Sequence, residues 1–283
     1  MLGQSTTAIA TETTPCATQL ERGVILTRAI PGNNQIKYYL YLPKRCTQQS
    51  KVFVTVHGIS RNAEEHAKKF APYAEQYGVI LIAPFFPEKD FPDYQRLGRK
   101  DRGERADSAL KAIIRDVAES SGIHLPEKIY MFGYSGGAQF THRYLLAHPE
   151  QVAKAVLGAP GWYTFPDSNQ TYPKGIKASP TLPYLAFNPS NFLKIPVCVL
   201  VGELDHQRDN ELNQSSKIDQ LQGKNRIERG RRWVAQMSQQ AQQLGLTTPY
   251  CFQLLPHSPH SFSLSMLRGG MGKKTFEFLF GQD

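Results

Sequence analysis

Short apolar runs alternate with helical patterns along most of the chain, and this alternation limits the possible folds more than any other feature. The runs are rich in β-branched residues and several lack polar alternation, which is typical of strands covered on both faces. They are QIKYYLYLP (35–43), VFVTV (52–56), VILIA (79–83), IYMF (129–132), AKAVLGA (153–159), VCVLVG (197–202) and CFQLL (251–255). Between them, apolar residues recur at helical intervals of three and four. The sequence therefore predicts an α/β fold, with a mostly parallel sheet and helices on both faces.

A serine between glycines lies where one predicted strand gives way to a helical pattern. Residues 133–137, GYSGG, follow the run that ends at Phe132 and precede apolar residues at helical spacing. They fit the G-x-S-x-G pattern, in which a serine occupies a tight strand-to-helix turn. We interpret Ser135 as a nucleophile; the alternative is a plain glycine turn with a surface serine.

A serine hydroxyl is a poor nucleophile at neutral pH, so it needs a base, and that base needs an acid to orient it. In strand-turn-helix sites of this kind the acid comes next along the chain, followed by the histidine. Glu203, Asp205 and Asp209 all follow the strand predicted at 197–202. We select Asp205 because it clears the strand by a short turn, whereas Asp209 lies in a more polar stretch.

Two histidines, His257 and His260, follow the last predicted strand in the segment LLPHSPHSF. The prolines around His257 stiffen the chain, so this histidine is expected to stay near the sheet edge. His260 lies beyond the second proline, where the loop is long enough to bend back over Ser135. Phe262 is expected to anchor that bend. The predicted base is therefore His260.

Acyl transfer also needs two backbone donors aimed at the developing oxyanion. One is expected to be the N–H of Gly136, directly after the nucleophile. The other is expected from the loop after the strand at 52–56, where Ile59 is the predicted donor and Ser60 the alternative. We interpret His57, in the same loop, as a residue that braces the turn.

One long segment, 159–196, interrupts the alternation. It contains seven prolines and seven of the chain's tryptophan, tyrosine and phenylalanine residues, without helical periodicity. Long loops inside compact domains are usually functional or disordered. We predict an ordered lid or pocket wall, with a surface excursion as the alternative. Tyr134 and Trp162 are expected to contact the substrate, although a core position is an equal alternative for Trp162.

Composition argues against several classes of partner. No apolar run reaches about 18 residues, so no membrane span is expected. The net charge of +9 arises partly from RLGRKDRGER (96–105) and KNRIERGRR (224–232). Both stretches contain acidic residues and lack interleaved aromatics, so we interpret them as solvated surface and expect no nucleic-acid binding. Neither a metal nor an organic cofactor is expected.

The four cysteines lack C-x-x-C spacing and are too few for a disulfide scaffold or a zinc site. They are Cys16, Cys46, Cys198 and Cys251. Cys198 lies in an apolar run and is expected in the core. Cys16 and Cys46 could pair in an exported protein, but the sequence leaves this open.

The first 20 residues are rich in threonine and poor in apolar residues, so we predict a flexible leader at 1–20 and one domain at 21–283. The segment Ala8-Ile9-Ala10 resembles the cleavage site of a signal peptide, although the charged start and apolar middle are missing. A truncated signal peptide would indicate a periplasmic or secreted protein. If the match is a coincidence, a cytoplasmic protein is the alternative.

The sequence resembles the α/β-hydrolase family. The resemblance is carried by His57-Gly58, the GYSGG motif, the Val-Gly-x-x-Asp pattern at 201–205 and His260-Ser261-Phe262. Within the family it is most similar to bacterial esterases of the polyhydroxybutyrate-depolymerase and feruloyl-esterase kind. Gly136 stands where many of those relatives carry another small residue.

The resemblance implies an α/β-hydrolase fold and a serine esterase that forms an acyl-enzyme on Ser135. The implied substrate is a small or polymeric carboxylic ester. A serine peptidase or acyltransferase with the same three residues is one alternative, because a fold does not fix a function. A ligand-binding protein that retains a slow hydrolase site is another.

Overall fold

The computed structural model describes residues 14–281, apart from the side chain of Asn34. Its centre is an eight-stranded sheet with the strand order β1-β2-β4-β3-β5-β6-β7-β8. The strands are β1 (Ile25–Ile30), β2 (Asn33–Tyr41), β3 (Val52–Val56), β4 (Ile80–Phe85), β5 (Ile129–Tyr134), β6 (Val152–Gly158), β7 (Val197–Gly202) and β8 (Tyr250–Leu255).

Strands β3 to β8 pair in parallel, while β2 pairs antiparallel with β4 and β1 antiparallel with β2. The predicted mostly parallel sheet is confirmed, and the seven predicted strands correspond to β2 through β8. Strand β1 was not predicted. It lies at the sheet edge and is only partly buried, so its residues lack the apolar run that marks a central strand.

Two groups of helices cover the sheet, one formed by α1 and α8 and the other by α2, α3 and α6. The helices are α1 (Ala63–Tyr77), α2 (Ala106–Ser121), α3 (Gly136–Ala147), α4 (Pro189–Phe192), α5 (Ser216–Gln222), α6 (Arg226–Gln243), α7 (Phe262–Leu267) and α8 (Met271–Phe280). Rings from both α1 and α8 pack on Phe53 of β3, with centroid distances of 5.2 Å to Phe70 and 4.9 Å to Phe276. The core therefore lies between the sheet and these helices.

The segment 159–196 is ordered by packing on the helices, although the short α4 is its only helix. Tyr163 stacks on Trp233 of α6 at 5.2 Å. The amide of Gln222 donates to the Tyr163 carbonyl and accepts from its N–H, both at 2.8 Å. Since a buried loop must satisfy its own backbone polar groups, these contacts explain how an irregular segment is held in the interior.

The structure differs from the expected flexible leader at its C-terminal part. Residues 1–13, including the segment Ala8-Ile9-Ala10, lie outside the described residues. Cys16, in contrast, is buried and bonded to Cys46. Thr18 Oγ1 donates to the carbonyl of Ser120 at 2.8 Å. Residues 14–20 are therefore attached to the domain by a disulfide that the spacing of the cysteines alone does not reveal.

Both pairs of cysteines form disulfides, Cys16 with Cys46 and Cys198 with Cys251. Cys198 is buried, as expected, and it faces Cys251 across the parallel pair β7–β8. This bond joins the two strands that lead to Asp205 and His260. In the described part of the chain, no helix has the length and apolar character needed to cross a membrane.

We predict that the double variant Cys198→Ala/Cys251→Ala unfolds with a free energy about 4 kcal/mol below that of the wild type. The wild-type bond closes a loop across 53 positions, and its loss frees the unfolded chain. Denaturant titration of both proteins measures the difference. The control is alkylation of unreduced, unfolded wild type followed by mass measurement, where any labelled thiol would contradict the two assigned disulfides.

Candidate active site

Ser135 lies at a strained turn between the end of β5 and the start of α3. Its backbone has φ 50° and ψ −112°, a region that residues other than glycine seldom occupy. Two glycines let the turn close. A Cβ on Gly137 would lie 2.0 Å from the carbonyl oxygen of Val56, and one on Gly133 would lie 2.2 Å from that of Gly137. The turn places Ser135 at the carboxyl ends of the parallel strands.

Three predicted residues form one hydrogen-bonded chain. His260 Nε2 lies 3.1 Å from Ser135 Oγ, and His260 Nδ1 lies 2.7 Å from Asp205 Oδ2. Because a carboxylate can only accept, Nδ1 carries the ring proton of the neutral imidazole and Nε2 is left to accept from the serine hydroxyl. The Asp205 side chain is 2% exposed and that of His260 13%, so the hydrogen bond between them is largely shielded from water.

Hydrogen bonds join the loops after β7 and β8. The N–H of Glu203 donates to the Leu255 carbonyl at 2.9 Å, and that of Leu204 donates to the Ser258 carbonyl at 3.1 Å. The Glu203 carboxylate accepts from the N–H of His257 at 2.7 Å. Glu203 and His257, the rejected candidates for acid and base, therefore bind one another.

Packing at Phe262 supports the turn that carries His260. The Phe262 ring stacks on His66 of α1 at a centroid distance of 3.7 Å and meets the Tyr134 ring edge-on at 5.6 Å. Ser261 caps helix α7 by accepting from the N–H of Leu264. The loop therefore reverses directly after His260, as the position of Phe262 in the sequence led us to expect.

Arg226, at the start of α6, connects Asp205 with Asp209. It was not identified from the sequence as a residue of the site. Its Nη1 donates to Asp205 Oδ1 at 3.1 Å and to Asp209 Oδ2 at 2.6 Å, while Nη2 donates to Asp209 Oδ1 at 3.0 Å. These hydrogen bonds, with the guanidinium charge, lower the pKa of Asp209. Asp209 therefore reaches Asp205 only through Arg226 and does not contact His260.

The position of Arg226 corrects the interpretation of KNRIERGRR as solvated surface. Arg226 and Arg229 are both buried. Arg229 donates to the Gly161 carbonyl and to Asp219. A helix can present some of its arginines to solvent and turn others inward, and charge counting along the chain does not distinguish them. The acidic partners Asp205, Asp209 and Asp219 all precede α6 in the sequence, but their spacing does not show which arginine each one meets.

The loop after β3 comes close to the first turn of α3. The N–H of Ile59 donates no hydrogen bond to another described residue. The N–H of Gly136, at the first position of α3, has no acceptor within the helix. A Cβ on Gly136 would lie 3.0 Å from Ile59 Cγ2, so the two residues are neighbours. Ser60, the alternative donor, borders the same cavity and bonds Asn62 through its hydroxyl at 3.1 Å.

His57 holds this loop in place. Its Nδ1 donates to the carbonyl of Gly58 at 2.7 Å, and its Nε2 accepts from the N–H of Phe86 at 3.0 Å. Both ring nitrogens are thus used in fixing the backbone. Burial lowers the pKa of His57 to about 4, so the ring is neutral at physiological pH.

A cavity of about 330 Å³ opens beside Ser135. Its walls come from the loop after β3, the start of α1, the elbow, the loop after β8 and the start of α7, with one further residue from the loop after β7. The lining residues are Gly58, Ile59, Ser60, Asn62, Glu65, Tyr134, Ser135, Glu211, His260, Ser261, Phe262 and Ser263. Among the described residues, no group of three or more His, Cys, Asp or Glu side chains could hold a metal ion.

The two predicted substrate contacts have different positions. Tyr134 lines the cavity, and its ring lies 5.4 Å from that of His260. Trp162 does not line it. The indole is buried, with the Arg143 guanidinium 4.3 Å from its ring centroid. The structure therefore corrects the expectation for Trp162, which has the core position named as the alternative, and no residue of 159–196 borders the cavity.

Comparison with solved structures identifies the architecture. The chain superposes with a TM-score of 0.75 and 24% identity on poly(aspartic acid) hydrolase-1 from a Sphingomonas species, covering 92% of this chain and 100% of that one. It superposes on the poly(3-hydroxybutyrate) depolymerase LpqC from Bordetella parapertussis with a TM-score of 0.70 and 21% identity, covering 92% and 89%.

The chain has the α/β-hydrolase fold. A more distant example is the acetyl xylan esterase from Aspergillus awamori, with a TM-score of 0.57, 15% identity and coverage of 92% and 100%. No protein-family model matches the chain, and no curated protein sequence matches it significantly. The likeness is therefore one of α/β-hydrolase architecture.

Three buried histidines of this α/β-hydrolase domain predict an acid-sensitive fold. Burial lowers the pKa of His57 to about 4 and the pKa values of His66 and His142 well below their usual range. In the unfolded chain each imidazole takes up a proton near pH ~6.5, which favours unfolding below that value. We expect the free energy of unfolding to fall by about 1 kcal/mol per histidine between pH ~7 and ~5.5. Denaturant titration at both values measures it, and an unchanged free energy would contradict the account, because it would show that the folded chain takes up as many protons as the unfolded chain.

Proposed function

We propose that the protein is a serine hydrolase of carboxylic esters that acts through an acyl-enzyme on Ser135. One observation carries the proposal: Ser135, His260 and Asp205 form a continuous hydrogen-bonded chain whose serine end borders an open cavity. This is the arrangement that activates a hydroxyl for attack on a carbonyl.

The proposed reaction begins with attack of Ser135 Oγ on the ester carbonyl. As the Oγ–C bond forms, the hydroxyl proton passes to His260 Nε2, and Asp205 stabilises the resulting imidazolium. The N–H groups of Ile59 and Gly136 donate to the oxyanion. The bond between carbon and the alcohol oxygen then breaks, and Nε2 returns its proton to that oxygen. Water releases the acyl group by the same steps.

The preference for esters rests on two of the three compared proteins as well as on the site, since the third is named a poly(aspartic acid) hydrolase. Two of them are named a poly(3-hydroxybutyrate) depolymerase and an acetyl xylan esterase. Their names support a small or polymeric ester as the substrate here. The reaction needs no metal or organic cofactor, because the proton transfers and charge stabilisation are assigned to groups of the chain itself.

The two disulfides support a site of action outside the reducing cytoplasm. Disulfides persist in oxidising compartments and are rare in cytosolic proteins. All four cysteines of this chain are paired. We therefore extend the proposal to an exported protein, periplasmic or secreted. Fractionation of cells that express the natural gene tests this independently of the chemistry.

We predict that Ser135→Ala folds normally and loses nearly all esterase activity. Without the nucleophile, only binding and the oxyanion donors remain, which in measured triads leave about 10³ to 10⁴-fold acceleration over water. The assay is kcat on acetate, long-chain and aromatic esters, with circular dichroism as the folding control. Turnover at the wild-type level in the variant would refute Ser135 as the nucleophile.

The same panel of esters, extended to peptides and added alcohols, distinguishes an esterase from a peptidase, an acyltransferase and a ligand-binding protein. Hydrolysis of peptides but not esters would favour a peptidase, and transfer of the acyl group to an added alcohol in preference to water would favour an acyltransferase. A protein that binds esters without turnover would be a binding protein.

We predict that Asp205→Asn lowers kcat by about 10⁴, because an amide favours the wrong histidine tautomer. Asp209→Asn is the matched control, since it makes the same chemical change at a carboxylate that contacts Arg226 but not His260. We expect Asp209→Asn to retain at least about one tenth of the wild-type kcat, the cost of one weakened hydrogen bond to a charged group. If Asp209→Asn is the more damaging change, the assignment of the acid is wrong.

A further inference from the structure

Glu211 has no role in the proposed mechanism, yet its carboxylate lies beside the reacting atoms. It lines the same cavity as Ser135, and its Oε2 lies 4.0 Å from His260 Nε2. The side chain is 52% exposed. Among the described residues, no lysine or arginine forms an ion pair with it, so its charge is available to a bound molecule.

The charges near the cavity are mostly negative, although the chain carries a net charge of +9. Glu65 also lines the cavity, where it accepts hydrogen bonds from Asn62 and Ser263. In the described part of the chain, neither a lysine nor an arginine lines it. Arg226 lies behind Asp205, and its guanidinium is shared between Asp205 and Asp209. The cavity lining therefore contains two carboxylate side chains, Glu65 and Glu211, and no lysine or arginine among the described residues.

One further arginine belongs to this region, but it does not line the cavity. Arg61 follows the loop that carries Ile59, but its guanidinium donates to the Phe86 carbonyl and lies over the Tyr94 ring. A cleft lined by one sign of charge concentrates ligands of the opposite sign. The cavity is therefore suited to a positively charged group and unfavourable for an anionic one.

The chemistry of ester cleavage determines which part of the substrate meets Glu211. His260 Nε2 delivers its proton to the oxygen of the departing alcohol. The alcohol part must therefore lie against Nε2 when the carbon–oxygen bond breaks. Because Glu211 Oε2 is 4.0 Å from this nitrogen, the first groups of the alcohol part lie within a few ångströms of the carboxylate.

Building on the proposed ester hydrolysis, we propose that Glu211 is a specificity-determining residue that selects esters with a positive charge in the alcohol part. The carboxylate takes no part in proton transfer, and its attraction to the His260 imidazolium, 4.0 Å away, is common to all esters, so its selectivity is measured as a ratio between esters. The acyl chain extends from the carbonyl carbon in a different direction from the alcohol oxygen. A charge on the acyl chain is therefore expected to change kcat/KM less than a charge on the alcohol part.

Three acetates of equal size test the inference on the wild-type enzyme. They are the acetate of choline, the acetate of its carbon isostere, in which carbon replaces the quaternary nitrogen, and the acetate of a hydroxy acid of similar length. We expect kcat/KM to be about fivefold higher for the cationic ester than for the neutral one, and about fivefold lower for the anionic ester, as for a partly exposed charge pair. Added salt should narrow both ratios, because exposed charges are screened.

The variant Glu211→Gln should reduce the preference for the cationic over the anionic ester by about fivefold or more. The preference is a ratio, so a loss of turnover common to all three esters cancels. Glu277→Gln on α8 is the matched control. Its side chain is 53% exposed, and the substitution changes the net charge of the chain equally without touching the cavity. We expect this control to keep the wild-type ratios.

The outcomes distinguish this inference from the function on which it rests. Hydrolysis of the neutral ester with equal kcat/KM for the charged ones would overturn the role of Glu211 alone. That role would also be overturned if Glu277→Gln changed the ratios as much as Glu211→Gln. Failure of the wild-type enzyme to hydrolyse any of the three acetates, or any ester in the wider panel, would overturn the proposed function and this inference with it.

Discussion

The hydrogen bond between His260 Nδ1 and Asp205 Oδ2 is the interaction on which the arrangement of the site depends. At 2.7 Å it fixes the imidazole so that Nε2 faces Ser135 Oγ. The bond requires two loops, each leaving a different strand, to meet with sub-ångström accuracy. Neighbouring parallel strands provide this, because the carboxyl ends of β7 and β8 lie side by side. The disulfide between Cys198 and Cys251 holds the same two strands together below the loops.

Further contacts limit the freedom of each partner. Arg226 donates to the Asp205 oxygen that His260 leaves free, so both carboxylate oxygens are used. Stacking of Phe262 on His66 fixes the chain two residues beyond His260. A buried ion pair such as Asp205–Arg226 contributes little net stability after desolvation. Its value here lies in orientation, because a carboxylate with two fixed partners cannot rotate away from the imidazole.

Much of this could be predicted because the signals are local. A serine between glycines after an apolar run identifies the elbow, and prolines on either side of His257 indicate which histidine can turn back. The seven strands with apolar runs follow from the same kind of pattern. Contacts between residues that are far apart in the sequence could not be predicted from such local patterns. Arg226 lies in a stretch that looks solvated, and its burial depends on where α6 packs. Trp162 was ambiguous, since an aromatic residue in a long loop can line a cavity or fill the core. The attachment of residues 14–20 depends on a disulfide, and cysteine spacing does not determine pairing.

Labelling with a fluorophosphonate probe, followed by peptide mapping, is the sharpest test of the chain formed by Ser135, His260 and Asp205. The probe reacts only with a serine that is activated by its neighbours, so it reports the hydrogen-bonded chain without any assumption about the natural substrate. We predict a single adduct on Ser135 in the folded wild type, a labelling rate at least about 10²-fold lower in His260→Ala, and a nearly unchanged rate in His257→Ala. An adduct on another serine, or equal labelling rates for His260→Ala and the wild type, would contradict the assignment of these residues.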